Sequence, residues 1–257
     1  MTGTVDPRSS VHPSARIGAG SRVGPFCVVE EGALLGEDCV VEPFARICRD
    51  VLVGDRVLLG QGSVVGGIAQ VRDPAVDGKC RIGDDCRIGE YATVNRASSG
   101  PGETLVENGA MVLAYAHVAH DCRVGECAVI ANGVQLGGHV EVGRHAFLGG
   151  GTHVHQHVRI GSLAFAAGRI RLDRDLAPWS RGLGEPARWA GVNRVGINRT
   201  PDPPDFVLVQ EALRIVFRRQ LRLDEAIAEL SGRSDPESIE ILRFIQGGRR
   251  GLLRPKD

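Results

Sequence analysis

The sequence predicts a parallel β-solenoid of hexapeptide coils followed by a helical C-terminal segment. Three observations carry this. An aliphatic residue recurs every sixth position. A second phase, four residues later, holds small or β-branched side chains. Both patterns stop after Pro178, where helical spacing begins. A period of six fits neither a helix nor simple alternation. A short strand per hexad with a turn after each does fit, and three hexads close one triangular coil of about eighteen residues. About eight such coils, stacked roughly 4.8 Å apart, would give a prism on the order of 40 Å tall.

The aliphatic phase runs Val11, Ile17, Val23, Val29, Leu35, Val41, Ile47, Val53, Leu59, Val65. It breaks between Gly66 and Arg81 and resumes at Ile82, Ile88 and Val94. A second break around Gly100-Pro101-Gly102 precedes the long run from Val106 to Ile160. Breaks of this kind become loops on one face of a solenoid. The first loop, with Gln70, Arg72, Asp73, Asp77 and Lys79, is polar enough to cover a site. The second phase includes Ala33, Ala45, Ser63, Ala92, Ala116, Ala128 and Ala146, with Cys27, Cys39, Cys86 and Cys122 in the same register. These thiols read as small core filler. The seven cysteines cannot all pair within one chain and show no CxxC zinc spacing. Glycine often follows the aliphatic, as at Gly18, Gly125 and Gly161, and is expected there to supply permissive turn dihedrals.

The C-terminal segment reads as three helices. Residues 205–220 carry Phe206, Val209, Leu213, Val216 and Phe217 on one face. Residues 223–230 form a second helix. Asp235-Pro236-Glu237 starts a third, with Ile239, Leu242 and Ile245 on one side. The division is 1–186 for the coil and 187–257 for a connector and three-helix domain. The Arg249–Arg254 tail reads as a basic, solvated end.

Charge excludes several classes. Thirty-one basic and 31 acidic residues balance to a net charge of zero, so no nucleic-acid or anionic-membrane surface is expected. No stretch approaches the roughly 18 apolar residues of a bilayer span. With no secretory signal evident, a cytoplasmic location is expected.

Seven of eight histidines fall between His117 and His157. Residues eighteen apart stack on successive coils. His117, Gln135 and His153 therefore share one column, His120, Gly138 and Gln156 the next, and Asp121, His139 and His157 a third. Such a patch suits a histidine general base oriented by Asp121. It equally suits metal ligation.

The run His117-Val118-Ala119-His120-Asp121-Cys122-Arg123-Val124-Gly125 resembles the signature of the acyl carrier protein-dependent UDP-N-acetylglucosamine O-acyltransferases. Val154-His155-Gln156, Gly191-Val192-Asn193 and Gly196-Ile197-Asn198-Arg199 are similar to later steps of that family. The resemblance spans nearly the whole chain. It implies a left-handed parallel β-helix and a homotrimer with sites between subunits. It implies transfer of a 3-hydroxyacyl chain from acyl carrier protein to the 3-hydroxyl of UDP-N-acetylglucosamine, the first step of lipid A synthesis, with no metal or other cofactor. By this resemblance His120 is the base, Asp121 its carboxylate partner and Gly138 the oxyanion donor. His117, His139, His155, Gln156, Gln70, Asn193 and Arg199 contact substrate, and Gly168 sets acyl-chain length.

Three stretches depart from the family pattern. Gln70-Val71-Arg72-Asp73 replaces a Gln-Asp-Leu-Lys run. Asn95-Arg96-Ala97-Ser98 replaces a His/Asn-Arg-Gly-Thr step. Arg169 and Arg171 stand near the chain-length position, where apolar residues would be more comfortable. Other readings use the same scaffold. One is an acyltransferase on a 3-amino sugar nucleotide or with acetyl-CoA as donor. Another is a zinc protein like the gamma-type carbonic anhydrases, using His117 and His153 but with Val158 at the third ligand step. A third is a non-catalytic scaffold.

Overall fold

The computed structural model describes residues 3–74, 77–217 and 221–255. Three parallel sheets of 11, 9 and 8 strands form the faces of a triangular prism. Most strands are two residues long, and one residue of each pair points inward. Val118, Leu136 and Val154 stack this way on one face, each 4% exposed or less. The small phase is buried too: Ala92, Ala116, Ala128 and Cys122 are at most 1% exposed. Each fully buried Ile or Leu contributes roughly 1.5–3 kcal/mol, so the core is a column of modest, repeated gains.

Ten rungs stack in parallel in the longest sheet before its final antiparallel strand, more than the eight coils expected. The extra rungs come from Thr4–Val5, one hexad before Val11, and from Ser180–Leu183 after Pro178. Hexads at both ends have exposed or irregular residues, which hides the period.

Both interruptions are confirmed as insertions. Leu58 pairs with Arg87, 29 residues on, so the first insertion adds eleven residues to the coil of eighteen. Arg87 pairs with Met111, 24 on, so the second adds six. Both loops stay tied to the prism. Arg96 is buried and donates from Nε to the Gly66 carbonyl (2.9 Å) and from Nη2 to the Arg49 carbonyl (2.6 Å). Residues 75–76 of the first loop lie outside the described residues.

Apart from Gly66 (φ 81°), the glycines directly after the aliphatics do not supply the turn dihedrals. The left-handed backbone falls two residues later, and mostly on other residues, among them Phe26 (φ 60°), Asp121 (φ 59°) and His139 (φ 60°). Gly18 and Gly161 are required by crowding between rungs. A Cβ on Gly18 would stand 2.3 Å from the Gly36 carbonyl oxygen, and one on Gly161 would stand 2.2 Å from the Pro178 nitrogen.

After the last rung the chain forms an antiparallel hairpin, Ser180–Leu183 with Arg188–Val192. The expected division at 186/187 falls in its turn. Four helices follow rather than three: α1 (Arg194–Arg199), α2 (Phe206–Phe217), α3 (Leu223–Ser231) and α4 (Pro236–Gly247). Helix α1 is too short, with Gly196 inside it, to show periodicity. The expected end of α2 at Gln220 lies outside the described residues. Asp235 caps α4 as expected, accepting from the Ser238 N–H (2.9 Å). Its buried face, however, is centred on Ile241 and Phe244 rather than Leu242 and Ile245. The Glu237 carboxylate accepts from the Asp205 N–H (2.9 Å), which ties that face against the start of α2. The helices cover the flank of the last coils through Leu163, Ala177, Trp179 and Trp189.

Among the described residues no helix is long and apolar enough to cross a membrane. All seven cysteines are free, and six are buried. Burial pushes Cys80 and Cys122 up to about 12. A thiol titration should therefore find about one reactive equivalent in the native protein, at Cys127, and seven after unfolding. Rapid native labelling of several thiols would contradict this packing.

Candidate active site

The stacking columns predicted from the period are present. His117 pairs with Gln135 and Gln135 with His153 on adjacent rungs. His120 and Asp121 form the next corner. Asp121 takes the left-handed conformation, and its N–H donates to Thr104 Oγ1 (2.8 Å). That turn folds the carboxylate back onto its own neighbour, placing His120 Nδ1 2.7 Å from Asp121 Oδ2. The two side chains are only 13% and 12% exposed.

A carboxylate only accepts, so this contact puts the proton on Nδ1 and leaves Nε2 as the basic nitrogen. Burial pushes the Asp121 carboxyl up, but hydrogen bonds from Ser98 and His120 outweigh it and hold the group below its usual range. Ser98 contributes its hydroxyl (2.6 Å) and its N–H (3.1 Å). His139 Nε2 stands 3.7 Å from the same oxygen and stacks on His157 at 4.5 Å. Burial, and then His120, lowers the pKa of His117, whose Nδ1 meets Thr93 Oγ1 at 2.7 Å.

Gly138 lies directly over the His120 ring. A Cβ there would come within 2.4 Å of His120 Cε1 and 2.6 Å of Nε2. Among the described residues its N–H has no hydrogen-bond partner, so it remains available to a ligand.

A cleft of about 460 Å³ brings together Gln70, His117, His120, Gly138, His155 and Gln156. Asp121 sits behind His120, and His139 flanks the pair outside the cleft. Asn193 and Arg199 line a separate hollow of about 440 Å³ with Phe147 and Phe165, on another face of the prism. Asn193 is buried there. Its amide donates to the Leu163 carbonyl (2.8 Å) and accepts from the Gly196 N–H (3.1 Å), capping α1. Gly168 is an exposed corner residue outside both hollows. A Cβ on it would stand 3.0 Å from the Gly150 carbonyl oxygen.

Several residues were not singled out as site residues by the sequence. Ser98 and Thr104 fasten Asp121. Arg171 lines the cleft beside His153. Arg250, in the tail read as solvated, reaches His155 Nδ1 with its guanidinium. The Ser98–Asp121 pair crosses the second insertion, so the eighteen-residue rule could not find it.

His120, Asp121 and His139 bring three donors that could hold a metal within 4.8 Å of one another. Two of them already bond each other, so the carboxylate serves the histidine. Val158, at the step where a zinc centre would want its third histidine, is buried in the core.

Replacing Ser98 by Ala should lower kcat roughly tenfold with little change in KM, since a hydrogen bond to a charged group is worth about 1.5–3 kcal/mol. The variant should also be less stable near neutral pH and less acid-dependent. With its pKa lowered in the folded state, Asp121 contributes stability that is full above the ordinary carboxyl value of 3.8 and lost as pH falls through the folded value. Losing Ser98 raises that folded value toward the unfolded one, so the variant's melts should be lower near neutral pH and should fall less than those of the unaltered protein as pH drops below about 3.8. Identical pH–stability curves would contradict this role.

A rigid parallel solenoid with a carboxylate-oriented histidine over a glycine N–H defines a hexapeptide-repeat acyltransferase. Relatives agree. The family described as Udp N-acetylglucosamine O-acyltransferase, domain 2, matches residues 175–253, and bacterial transferase hexapeptide repeats match 32–67 and 103–138. The chain is 36% identical over 255 residues to the acyl-[acyl-carrier-protein]–UDP-N-acetylglucosamine O-acyltransferase of Alkalilimnicola ehrlichii, covering 97% of this chain and 99% of that one. It is 32% identical to that of Thermodesulfovibrio yellowstonii, over 95% and 96%. The UDP-N-acetylglucosamine acyltransferase structure from Campylobacter jejuni superposes with a TM-score of 0.91 at 29% identity, over 98% of this chain and 100% of that one. The chain belongs to the acyl-[acyl-carrier-protein]–UDP-N-acetylglucosamine O-acyltransferase family, and its coil is that family's left-handed parallel β-helix.

Proposed function

We propose that this protein transfers a 3-hydroxyacyl chain from acyl carrier protein to the 3-hydroxyl of UDP-N-acetylglucosamine, with His120 as general base. The observation that carries the reading is the His120–Asp121 pair, which frees Nε2 for an acceptor hydroxyl. His120 Nε2 takes the hydroxyl proton as the oxygen attacks the thioester carbonyl. Asp121 stabilises the imidazolium that forms. The Gly138 N–H donates to the developing oxyanion, an interaction worth about 3–4 kcal/mol in other acyl-transfer enzymes. The tetrahedral intermediate then expels the carrier's thiolate, which takes the proton back from His120. His117, whose burial favours its neutral form, holds the sugar nucleotide by hydrogen bonds together with Gln70, His155 and Gln156, and His139 contacts it from the flank of the His120–Asp121 pair.

The working unit is a homotrimer. The cleft is open along one face, and Asn193 and Arg199 lie on another face. Closing a cleft between subunits would set the second face of one protomer beside the His120 of the next. Gly168, near that closed cleft, would leave room for the acyl chain. The product feeds lipid A synthesis, and both substrates are cytoplasmic compounds.

The test is a mass-spectrometric assay with UDP-N-acetylglucosamine and a panel of 3-hydroxyacyl carrier proteins. A single preferred chain length on the sugar nucleotide supports the reading. No product with any donor overturns it. Sedimentation as a monomer would overturn the inter-subunit site.

A further inference from the structure

The protein has no net charge, and several arginines along the prism pair with acids on neighbouring coils. Arg46 pairs with Glu30, Arg56 with Asp85, Arg81 with Glu103 and Arg159 with Glu141. Four exposed arginines cluster around the last coils without such a pair. Among the described residues Arg171, Arg174, Arg188 and Arg254 have no acidic partner. Three of them reach only backbone carbonyls, of Arg250, Ala187 and Val216. With Asp173 and Glu185 these four line a groove of about 730 Å³. Arg171 lines both this groove and the His120 cleft, so the two hollows adjoin at that side chain. Unpaired guanidinium groups beside a cleft are suited to a phosphate, whose oxygens match their planar fork.

Geometry selects which phosphate. Arg171 ends the column His117–Gln135–His153–Arg171, three rungs above His117, roughly 14 Å at the strand spacing. The diphosphate of the acceptor lies only a sugar ring's width from the hydroxyl that His120 must reach. That places the diphosphate nearer the His120 rung than the Arg171 rung. The donor is different. Its thioester hangs on a pantetheine arm, an extended chain ending in a phosphodiester on the carrier protein. With the thioester at His120, that arm has the length to run up the column.

We propose that Arg171, supported by Arg174 and Arg188, binds the phosphodiester of the donor's prosthetic arm where the catalytic cleft adjoins the basic groove. The proposal rests on the acyl-carrier reading above. It also accounts for an arginine at a place where an acyl chain would favour an apolar residue: the arm, not the acyl chain, passes Arg171.

The test compares the unaltered protein, Arg171→Ala and Arg171→Lys with two donors of the same acyl group. One is the acyl carrier protein, and the other is the N-acetylcysteamine thioester, which has no phosphate. Arg171→Ala should raise KM for the carrier-bound donor about tenfold, the loss expected for a charge-assisted hydrogen bond. Arg171→Lys should fall between, because it keeps the charge without the fork. KM for UDP-N-acetylglucosamine and kcat/KM for the short thioester should move less than about twofold. A raised nucleotide KM with an unchanged donor KM would assign Arg171 to the diphosphate and overturn the proposal. Equal losses with both donors, or no loss with either, would overturn it as well. An unaltered protein inactive with every donor would overturn the acyl-transfer reading itself, and the proposal with it.

Discussion

Replacing His120 by Ala should reduce kcat by about a thousandfold, within the range that general acid–base groups contribute. Among the described residues the imidazole is the only group in the cleft whose proton-accepting nitrogen is fixed by a largely shielded carboxylate. Its removal leaves Asp121 held by Ser98 and Thr104, so the turn survives and the thermal transition should shift by only a few degrees. His120 sits at a corner rather than in the stacked core, which is why chemistry and stability separate here. A variant that keeps more than a tenth of the turnover would remove His120 from the mechanism. A variant that fails to fold would show that the corner is structural.

Gly138→Ala should cost nearly as much through a different cause. The added methyl would need the space of the His120 ring, 2.4 Å from Cε1. The ring must swing aside or the corner must open. Misplacing a catalytic group by about an ångström can cost a hundredfold, and a loss of that order in kcat is expected. The same shift would disturb the backbone N–H assigned to the oxyanion. Binding of UDP-N-acetylglucosamine, measured calorimetrically, should fall much less than turnover. Unchanged kcat would mean that His120 does not work from this position.

Much of the site could be read from the sequence, and the reason is geometric. Where the coil is uninterrupted, a difference of eighteen residues is a neighbour one rung away. That rule alone stacked Gln135 between His117 and His153, and His139 beneath His157. It fails where an insertion changes the count. Ser98 and Asp121 are 23 residues apart across the second insertion, and their hydrogen bond carries no periodic signal. The hairpin after Pro178 and the six-residue α1 are too short to be periodic.

Glycine was misread because turn freedom and close packing select the same residue. Only the backbone angles distinguish them, and they put the strain at residues such as Asp121 and His139. Asn193, Arg199 and Gly168 were assigned by resemblance and lie away from His120 in one chain. A period within one chain does not reveal which faces meet between chains.

The most direct test of the central claim is a one-pot competition. The protein is offered UDP-N-acetylglucosamine and its 3-amino analogue together, with 3-hydroxyacyl carrier protein and acetyl-CoA as rival donors. The products are then fragmented to locate the acyl group. The account predicts one dominant product, a 3-hydroxyacyl ester on the sugar 3-oxygen, absent when His120 is Ala. An N-acylated or acetylated sugar as the main product, or an ester formed equally well without His120, would contradict it.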